Sequence, residues 1–314
     1  MKITAVVVTY NRLELLKHGL ECLRRQRRLS EIMVVNNGST DGTGEWLEQL
    51  ASSSSEDPAA TPVLRVVHQE NVGGSGGFHT GIRLAYEGGA DWIWCMDDDV
   101  FPHDDCLDRL LEHVGEPEVG ILAPRRLLGG KVFTHEFGYY DFTHPLASMH
   151  GGKLRFGDDA RDEGGVVEIA GCDFEGPFVS RKVVEKVGLP NKDLFIFCDD
   201  TEYCLRASLA GFRLYYVASA LMDKHQFFAH DSWTTRNQKK KWKRYYQVRN
   251  ATYLNHHYGR NWGVRFLRGF LGVVGYWVPA VLSMPFSRAW SPADLKMLWR
   301  AYQDGIHERL GKRG

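Results

Sequence analysis

Residues 3–23 read ITAVVVTYNRLELLKHGLECL, and the order of these side chains indicates how the rest of the chain folds. The run Ile3–Val8 is apolar and mostly β-branched, which favours a buried strand. Leu13–Leu23 carries apolar residues at helical spacing, and the polar residues Thr9–Arg12 separate the two segments. Strand, polar loop and helix in this order form the repeating unit of a parallel sheet.

The same alternation continues along the chain. Strands are predicted at Ile32–Val35, Leu64–His68 and Asp91–Met96, and helices at Thr43–Leu50 and Gly81–Gly88. Strands that alternate with helices predict an α/β fold with a mostly parallel central sheet. The carboxyl ends of parallel strands meet at one edge, and ligands bind outside that edge.

Four polar clusters follow the four predicted strands and are therefore expected to share that edge. They are Thr9–Arg12, Asn36–Ser39, Asn71–Gly77 and Asp97–Asp99. The serine-rich segment 51–62 is expected to be a loop. Four polar loops on one rim predict a binding site.

The composition excludes several classes of protein. The chain has 314 residues, 43% of them hydrophobic, with 39 basic and 39 acidic side chains, as in a soluble globular protein. The balanced charge argues against a nucleic-acid-binding protein, because such domains carry a basic excess. Six cysteines without a CxxC pair favour reduced thiols in a cytoplasm. The N-terminal apolar run turns polar at Thr9, so no signal peptide is expected.

The last third of the chain has a different character. Between residues 224 and 268 there are eleven Lys or Arg and one acid, and Gly269–Phe286 then has no charge over 18 residues. With Trp262 and other tryptophans nearby, this pattern favours a helix pair at a membrane surface or a subdomain with its own core. Prolines make a bilayer-spanning helix the less favoured interpretation. The run Lys239–Tyr246 leaves RNA as a further alternative partner.

Two acidic clusters and one histidine are candidates for chemistry. Asp97-Asp98-Asp99 places three carboxylates at the end of a strand, where they would hold Mn²⁺ or Mg²⁺ against a diphosphate or form a solvated turn. The cluster Asp199-Asp200-Thr201-Glu202 precedes the predicted helix Tyr203–Ala210. Either one of its carboxylates acts as a general base, or its acids are ordinary residues at the start of a helix. His225 follows the predicted strand Arg213–Val217 and is either a metal ligand or structural.

The glycine-rich stretch Asn71–Phe78 is a candidate for binding phosphate or sugar. Glycine lets backbone N–H groups approach such a ligand closely. The stretch matches neither the Walker motif nor the dinucleotide-binding GxGxxG pattern, and a flexible hairpin is the alternative.

The motifs VVVTYNR, VVNNGSTDGT, NVGGSGGFHTG, MDDDV, FIFCDDTEYCLR and RYYQVRNATYL together resemble family 2 glycosyltransferases of the GT-A fold. The resemblance is closest to the branch with galactofuranosyltransferases and rhamnosyltransferases, and it covers roughly residues 3–255. It implies a catalytic domain over residues 1–228, with a nucleotide-sugar half at 1–125 and an acceptor half at 126–228. Residues 229–314 would be a helical, basic C-terminal extension.

The resemblance also implies roles for individual residues. Asp200 matches the catalytic base, and Asp97, Asp99 and His225 match the ligands of Mn²⁺ or Mg²⁺. Supporting or acceptor-facing roles fall on Asp199, Glu202, Asp98 and Asp173. Nucleotide-sugar binding falls on Thr9, Asn11, Arg12, Asn36, Asn37, Asn71, Gly73, Gly74, Gly76, Gly77 and Asp97. Asn36-Asn37 replaces the Asp-Asp pair common in the family, which leaves the choice of uridine or thymidine open.

The expected function is therefore a metal-dependent inverting glycosyltransferase. The first-choice reaction moves galactofuranose from UDP-galactofuranose to a growing bacterial cell-surface glycan or its lipid-linked precursor. The alternatives are a dTDP-rhamnose-dependent rhamnosyltransferase and a non-catalytic nucleotide-sugar-binding subunit. The expected location is the cytoplasm, at the inner face of the membrane, without nucleic acid as a partner.

Overall fold

Four parallel strands form one half of the central sheet in the computed structural model. They are β1 (Ile3–Thr9), β2 (Glu31–Asn36), β3 (Val63–His68) and β4 (Trp92–Asp97), in the spatial order β3-β2-β1-β4. Every residue of β1 and β2 is buried, as unbroken apolar runs predict for strands covered on both faces. The structure describes residues 1–53, 62–154, 165–227, 241–284 and 290–313.

Helices cover both faces of these strands. Side chains alternate along β1, so Ala5 and Val7 pack in one core with helix α1 (Leu13–Arg24), whereas Val6 and Val8 pack in a second core with helix α3 (Gly73–Glu87). Helix α2 (Thr43–Ser53) follows β2, and most of the predicted serine-rich loop lies outside the described residues.

The other half of the sheet is mixed. It contains β6 (Val119–Leu128), β10 (Val166–Ile169), β11 (Phe178–Ser180) and β12 (Arg213–Lys224), and the order continues β4-β11-β6-β12-β10. β12 runs parallel to β6, and β11 is antiparallel to both of its neighbours. The remaining elements here are β5 (Val100–Pro102), α4 (Cys106–Leu111), β7 (Lys131–Phe133), β8 (Phe137–Tyr140), β9 (His150–Lys153), α5 (Arg181–Val187) and α6 (Asp199–Leu209).

The chain divides into two compact units. The first comprises Met1–Tyr139, Gly152–Lys192 and Asp200–Gln226, and the second Tyr140–Gly151, Asp193–Asp199 and Phe227–Gly314. The assignment of residues 1–228 as the catalytic domain stays a prediction.

Helices dominate the second unit. They are α7 (Lys243–Tyr258), a π-helical segment (Gly263–Arg268), α8 (Gly269–Ser283) and α9 (Pro292–Ile306). Their core is built from aromatic and aliphatic side chains, among them Tyr245, Val273 and Leu298. The described part of the uncharged stretch is one continuous helix with Pro279 inside it, so the predicted helix pair is wrong for residues 269–284.

The segment Gly263–Ser283 meets the length and composition of a membrane-crossing helix. It has 21 residues, and its most apolar 18-residue stretch has a mean hydropathy of 1.4 and is 17% buried. Val273 and Ala280 face the core, whereas Leu271, Val278 and Leu282 are exposed. One face of α8 thus packs in the core of the second unit, and the other is not covered by any of the described residues.

Candidate active site

Hydrogen bonds join the loops after β1 and β2 at the carboxyl edge of the sheet. The backbone N–H of Asn11 donates to Ser39 Oγ at 3.0 Å, and the backbone N–H of Thr40 donates to Asn11 Oδ1 at 2.6 Å. Asn11 has a φ of 54°, a left-handed conformation that asparagine adopts more readily than most residues. The loops that contain Thr9–Arg12 and Asn36–Ser39 are therefore held side by side, as the strand order predicts.

Asp98 is buried beneath the loop after β1. Its carboxylate accepts hydrogen bonds from Thr9 Oγ1 at 2.8 Å and from the guanidinium of Arg12 at 2.8 Å. Burial raises the pKa of Asp98, and the bonds from Arg12 and Thr9 oppose that rise. The side chains predicted to bind a nucleotide at Thr9 and Arg12 thus also hold Asp98, so all three residues organise this part of the rim.

Asp97 and Asp99 carry surplus negative charge at the end of β4. Burial and then the charges of Asp99 and Glu175 raise the pKa of Asp97 well above its usual range. Asp99 Oδ2 lies 3.5 Å from the Arg12 guanidinium and 3.8 Å from Lys224 Nζ. Asp99 Oδ1 is buried and has no hydrogen-bond partner among the described residues. A buried carboxylate oxygen without a partner costs free energy unless a ligand satisfies it.

A network of charges that the sequence analysis did not predict lies beside Asp99. Arg126 on β6 is 1% exposed and pairs with Glu136 at 2.7 Å, with Asp173 at 2.8 Å and with Glu175. Glu175 also pairs with Lys224, the same lysine that approaches Asp99. The signal for this network is the pair Arg125-Arg126 within an otherwise apolar strand, because a buried guanidinium requires carboxylate partners.

The donor set suits a hard divalent cation. Carboxylate oxygens are the ligands that Mg²⁺ and Mn²⁺ prefer, and Asp99 Oδ1 supplies a buried one to which no described residue donates a hydrogen bond. Among the described residues, however, no three His, Cys, Asp or Glu side chains converge as a formed metal site. His225 follows β12, and its backbone N–H donates to the carbonyl of Asp99 at 2.9 Å, which places it next to the acidic cluster in the sheet.

Asn36 and Asn37, the residues that depart from the family pattern, hold the neighbouring loops. Asn36 Nδ2 lies 3.1 Å from His68 Nδ1. Asn37 Nδ2 donates to the carbonyl of Gly73 at 3.0 Å, and its Oδ1 accepts from Gln69 Nε2 at 2.9 Å. A carboxylate at position 37 would lack the hydrogen that the carbonyl of Gly73 accepts, so the amide suits the start of α3.

The glycine-rich stretch is helical, which corrects the expectation of a loop or hairpin. Helix α3 begins at Gly73, eight residues before the predicted start. The glycines allow close packing: a Cβ at Gly77 would lie 2.5 Å from Val8 Cγ1, and a Cβ at Gly76 would lie 2.4 Å from Val72 Cγ2. A Cβ at Gly74 would meet no atom within 4 Å. The roles of Gly73, Gly74, Gly76 and Gly77 in donor binding stay predictions, and Asn71 Oδ1 accepts from the N–H of Gly73 at 3.0 Å.

The second acidic cluster forms the first turn of α6. The helix begins at Asp199, four residues before the predicted Tyr203. Asp199 and Glu202 are buried, Glu202 pairs with Arg206 at 2.8 Å, and Asp200 is half-buried.

The backbone just before α6 is strained. Phe195, Phe197 and Cys198 have φ values of 65°, 68° and 64°. Left-handed conformations of this kind cost non-glycine residues about 1–3 kcal/mol each and occur mainly where the surroundings impose them. The strained residues lie directly before Asp199 and Asp200, so the surrounding structure holds this turn in its conformation.

Asp173 belongs to the Arg126 network. Its carboxylate accepts from Arg126 at 2.8 Å and lies 3.0 Å from His135 Nδ1. Burial alone would raise its pKa, but the charge of Arg126 and the bond with His135 hold the pKa of Asp173 well below its usual range. Asp173 is therefore ionised and held near Asp99 through Arg126, Glu175 and Lys224.

A comparison with known protein families identifies the family of the chain. The model described as glycosyl transferase family 2 matches residues 4–187, more than half of the chain. The chain is a family 2 glycosyltransferase. The resemblance stated from the motifs is thereby confirmed.

Two curated relatives of this glycosyltransferase come from bacteria. It is 38% identical to galactofuranosyltransferase GlfT1 of Mycobacterium tuberculosis over 212 residues, which cover 66% of this chain and 64% of the relative. It is 35% identical to the undecaprenyl-phosphate mannosyltransferase of Micrococcus luteus over 133 residues, covering 42% of this chain and 51% of the relative. The matches thus span about half to two thirds of the relatives' lengths.

Solved structures confirm the fold of the glycosyltransferase. GalNAc-T7 with UDP, GalNAc and Mn²⁺ has a TM-score of 0.56 at 12% identity, over 80% of this chain and 51% of that protein. The mannosyltransferase PcManGT of Pyrobaculum calidifontis, with GDP-Man and Mn²⁺, has a TM-score of 0.53 at 13% identity, over 98% and 88%. The predicted α/β GT-A class, with helices at the C-terminal end, is confirmed.

Proposed function

We propose that this glycosyltransferase moves galactofuranose from UDP-galactofuranose to a bacterial cell-surface glycan or its lipid-linked precursor. The observation that carries the donor is the 38% identity over 212 residues to a galactofuranosyltransferase. The carboxylates of Asp97 and Asp99 at the rim support transfer from a nucleotide diphosphate, because such donors are bound with a divalent cation between carboxylate and phosphate.

The proposed roles are those that the resemblance to the family implies. Asp200, in the first turn of α6, takes the proton of the acceptor hydroxyl, whose oxygen bonds to the anomeric carbon as the bond from that carbon to UDP breaks. Asp97, Asp99 and His225 would hold Mn²⁺ or Mg²⁺. When bound, the cation supplies neutralisation of the charge on the departing diphosphate. Inversion at the anomeric carbon follows from a single in-line displacement.

Release of the free nucleoside diphosphate (UDP, dTDP or GDP) from a donor panel tests the reaction. The panel contains UDP-galactofuranose, UDP-galactopyranose, UDP-glucose, dTDP-rhamnose and GDP-mannose, each with Mn²⁺ and a lipid-linked acceptor. UDP-galactofuranose is expected to be turned over fastest by the wild type and at least 100-fold more slowly by Asp200→Asn. Asp91→Asn is the control, because Asp91 precedes β4 at the opposite end of the strand and bonds to the N–H of Lys2. Preferred turnover of another donor contradicts the assignment.

A binding measurement tests the metal independently of turnover. Calorimetric titration of UDP is expected to show at least tenfold tighter binding with Mn²⁺ than with EDTA. Asp99→Asn is expected to lose this enhancement, because it removes a carboxylate oxygen that has no hydrogen-bond partner in the part of the chain that the structure describes. Asp91→Asn should retain it. Equal UDP affinity with Mn²⁺ and with EDTA in the wild type would overturn the metal assignment.

The second unit is proposed to rest on the inner surface of the cytoplasmic membrane. Leu271, Val278 and Leu282 expose an apolar face of α8, and Arg265 and the 69%-exposed Trp262 precede that helix. Apolar, aromatic and basic side chains together match the boundary of an anionic bilayer. The partner proposed for this face of α8 is a lipid surface that contains anionic phospholipid.

Vesicle sedimentation tests this surface. The wild type is expected to sediment with vesicles of mixed phosphatidylglycerol and phosphatidylcholine, and the double variant Val278→Lys/Leu282→Lys to lose at least tenfold in partitioning. The matched control makes the same two kinds of substitution at other exposed apolar residues, in Val63→Lys/Leu209→Lys on β3 and α6. The proposed membrane contact would be overturned if the wild type did not sediment with the vesicles. It would also be overturned if light scattering showed a wild-type dimer that the double lysine variant does not form.

A further inference from the structure

The segment Asp193–Cys198 carries the strained backbone described above and leads directly into the first turn of α6. Its carbonyl groups at 193–197 include four that accept hydrogen bonds from side chains of α7. Because a left-handed conformation of a non-glycine residue persists only where contacts impose it, these bonds account for the conformation.

Asn250 makes the densest set of these contacts. It is fully buried, and its Nδ2 lies within hydrogen-bond distance of the carbonyls of Leu194 at 3.0 Å, Ile196 at 2.9 Å and Phe197 at 2.9 Å, which share its two hydrogens. Its Oδ1 accepts from Arg249 Nε at 2.8 Å, which fixes the orientation of the amide. One side chain thus gathers three carbonyls from four consecutive residues, a geometry that an extended or helical segment could not present.

Arg249 secures the same segment from the neighbouring position. Its Nη2 donates to the carbonyl of Leu194 at 2.8 Å and to that of Asp193 at 3.3 Å. The guanidinium is fully buried and lies 5.0 Å from the ring centre of Tyr246, which itself stacks on Phe195 at 4.9 Å. Burial lowers the pKa of Arg249. Burying a cation against neutral backbone carbonyls costs free energy. That cost indicates that the fold requires this turn to keep its shape.

We propose that Arg249 and Asn250 are positioning residues that hold the turn before α6 and thereby fix where the chain delivers Asp200. They touch no reacting atom and act through the backbone of residues 193–198, which is covalently continuous with Asp199 and Asp200. The proposal rests on the role of Asp200 proposed above. It assigns a function in the catalytic cycle to the Arg-Asn pair within the RYYQVRNATYL motif.

The test compares two buried asparagines of the same helix. Asn250→Ala removes the amide that holds the turn, and Asn255→Ala removes an equally buried amide whose Oδ1 accepts from Arg268 instead. Asn250→Ala is expected to lower kcat at least 30-fold with the donor KM within twofold of wild type, and Asn255→Ala to keep kcat within threefold. Asn250→Ser, which retains one donor, is expected to fall between them and serves if the alanine variant does not fold.

Hydrogen exchange supplies a readout that does not depend on the donor. Amides of residues 195–201 are expected to exchange at least tenfold faster in Asn250→Ala than in Asn255→Ala. Equal exchange in the two variants, or equal kcat, overturns the proposal. The kinetic assay uses whichever donor the wild type turns over, so failure of UDP-galactofuranose refutes the donor and leaves this test intact.

Discussion

Replacing Gly77 by alanine separates packing from ligand binding in the glycine-rich start of α3. The new Cβ would lie 2.5 Å from Val8 Cγ1, whereas favourable carbon contacts lie at about 3.5–4.0 Å. Overpacking costs about 1–3 kcal/mol, and a clash of this depth belongs near the upper value. Alanine is more favourable than glycine inside a helix by about 1 kcal/mol, which offsets part of this cost. The expected net loss in the free energy of unfolding is about 2 kcal/mol.

Urea denaturation followed by circular dichroism measures this loss. Gly74→Ala is the matched control, because its Cβ would meet no atom within 4 Å, and it should be neutral or stabilising by up to about 1 kcal/mol. In a Val8→Ala background both γ-methyl groups are absent, so Gly77→Ala should cost nothing further and should leave UDP affinity unchanged. An equal loss at Gly74 and Gly77, or a loss that Val8→Ala does not relieve, would refute the packing argument.

Three further outcomes are expected. Thr9→Val removes a 2.8 Å hydrogen bond to the buried carboxylate of Asp98 and should lower the free energy of unfolding by about 1.5–3 kcal/mol in urea; unchanged stability contradicts the assignment. Asn37→Asp places an acceptor where an amide donor meets the start of α3 and should lower the thermal midpoint at neutral pH, with recovery in acid as the check. The pKa of Asp173 is depressed in the folded state, because Arg126 outweighs burial, so its stabilisation is full above a pH of about 4 and is lost below it. The stability gap between wild type and Asp173→Asn should therefore shrink in acid, and a constant gap contradicts this.

The parallel half of the sheet could be predicted because its strands leave one kind of signal. Each of the runs around Val6, Val34 and Cys95 is apolar without interruption, and each ends in polar residues. Burial on both faces favours this pattern, so the strands and the edge at which their polar ends meet could be predicted from the sequence.

The glycine-rich start of α3 could not be predicted because glycine has two uses. It permits unusual backbone conformations, and it also permits a helix to approach a strand closely. Val8 and Gly77 are distant in sequence, so their contact is a property of the tertiary structure. Only Gly73, with a φ of 79°, uses the conformational freedom that the loop interpretation assumed.

The charge network around Arg126 was also missed, for a related reason. Glu136, Asp173 and Glu175 are spread over short segments without periodicity, and nothing in their spacing pairs them with β6. Their common partner is visible only as an arginine in an apolar strand. Breaking such a buried pair costs about 3–5 kcal/mol, so this network is structural as well as close to Asp99.

The antiparallel strand β11 has a consequence for how the chain is made on the ribosome. β11 is the link between β4 and β6, so β6 can join the sheet only after residues 178–180 have emerged. At about 5–20 residues per second, the ten-residue strand Val119–Leu128 waits several seconds with β7 as its only strand partner among the described residues synthesised by then. Nascent chains arrested between residues 130 and 175 should therefore recruit chaperones. The chaperones should be released once the three-residue strand β11 has been synthesised.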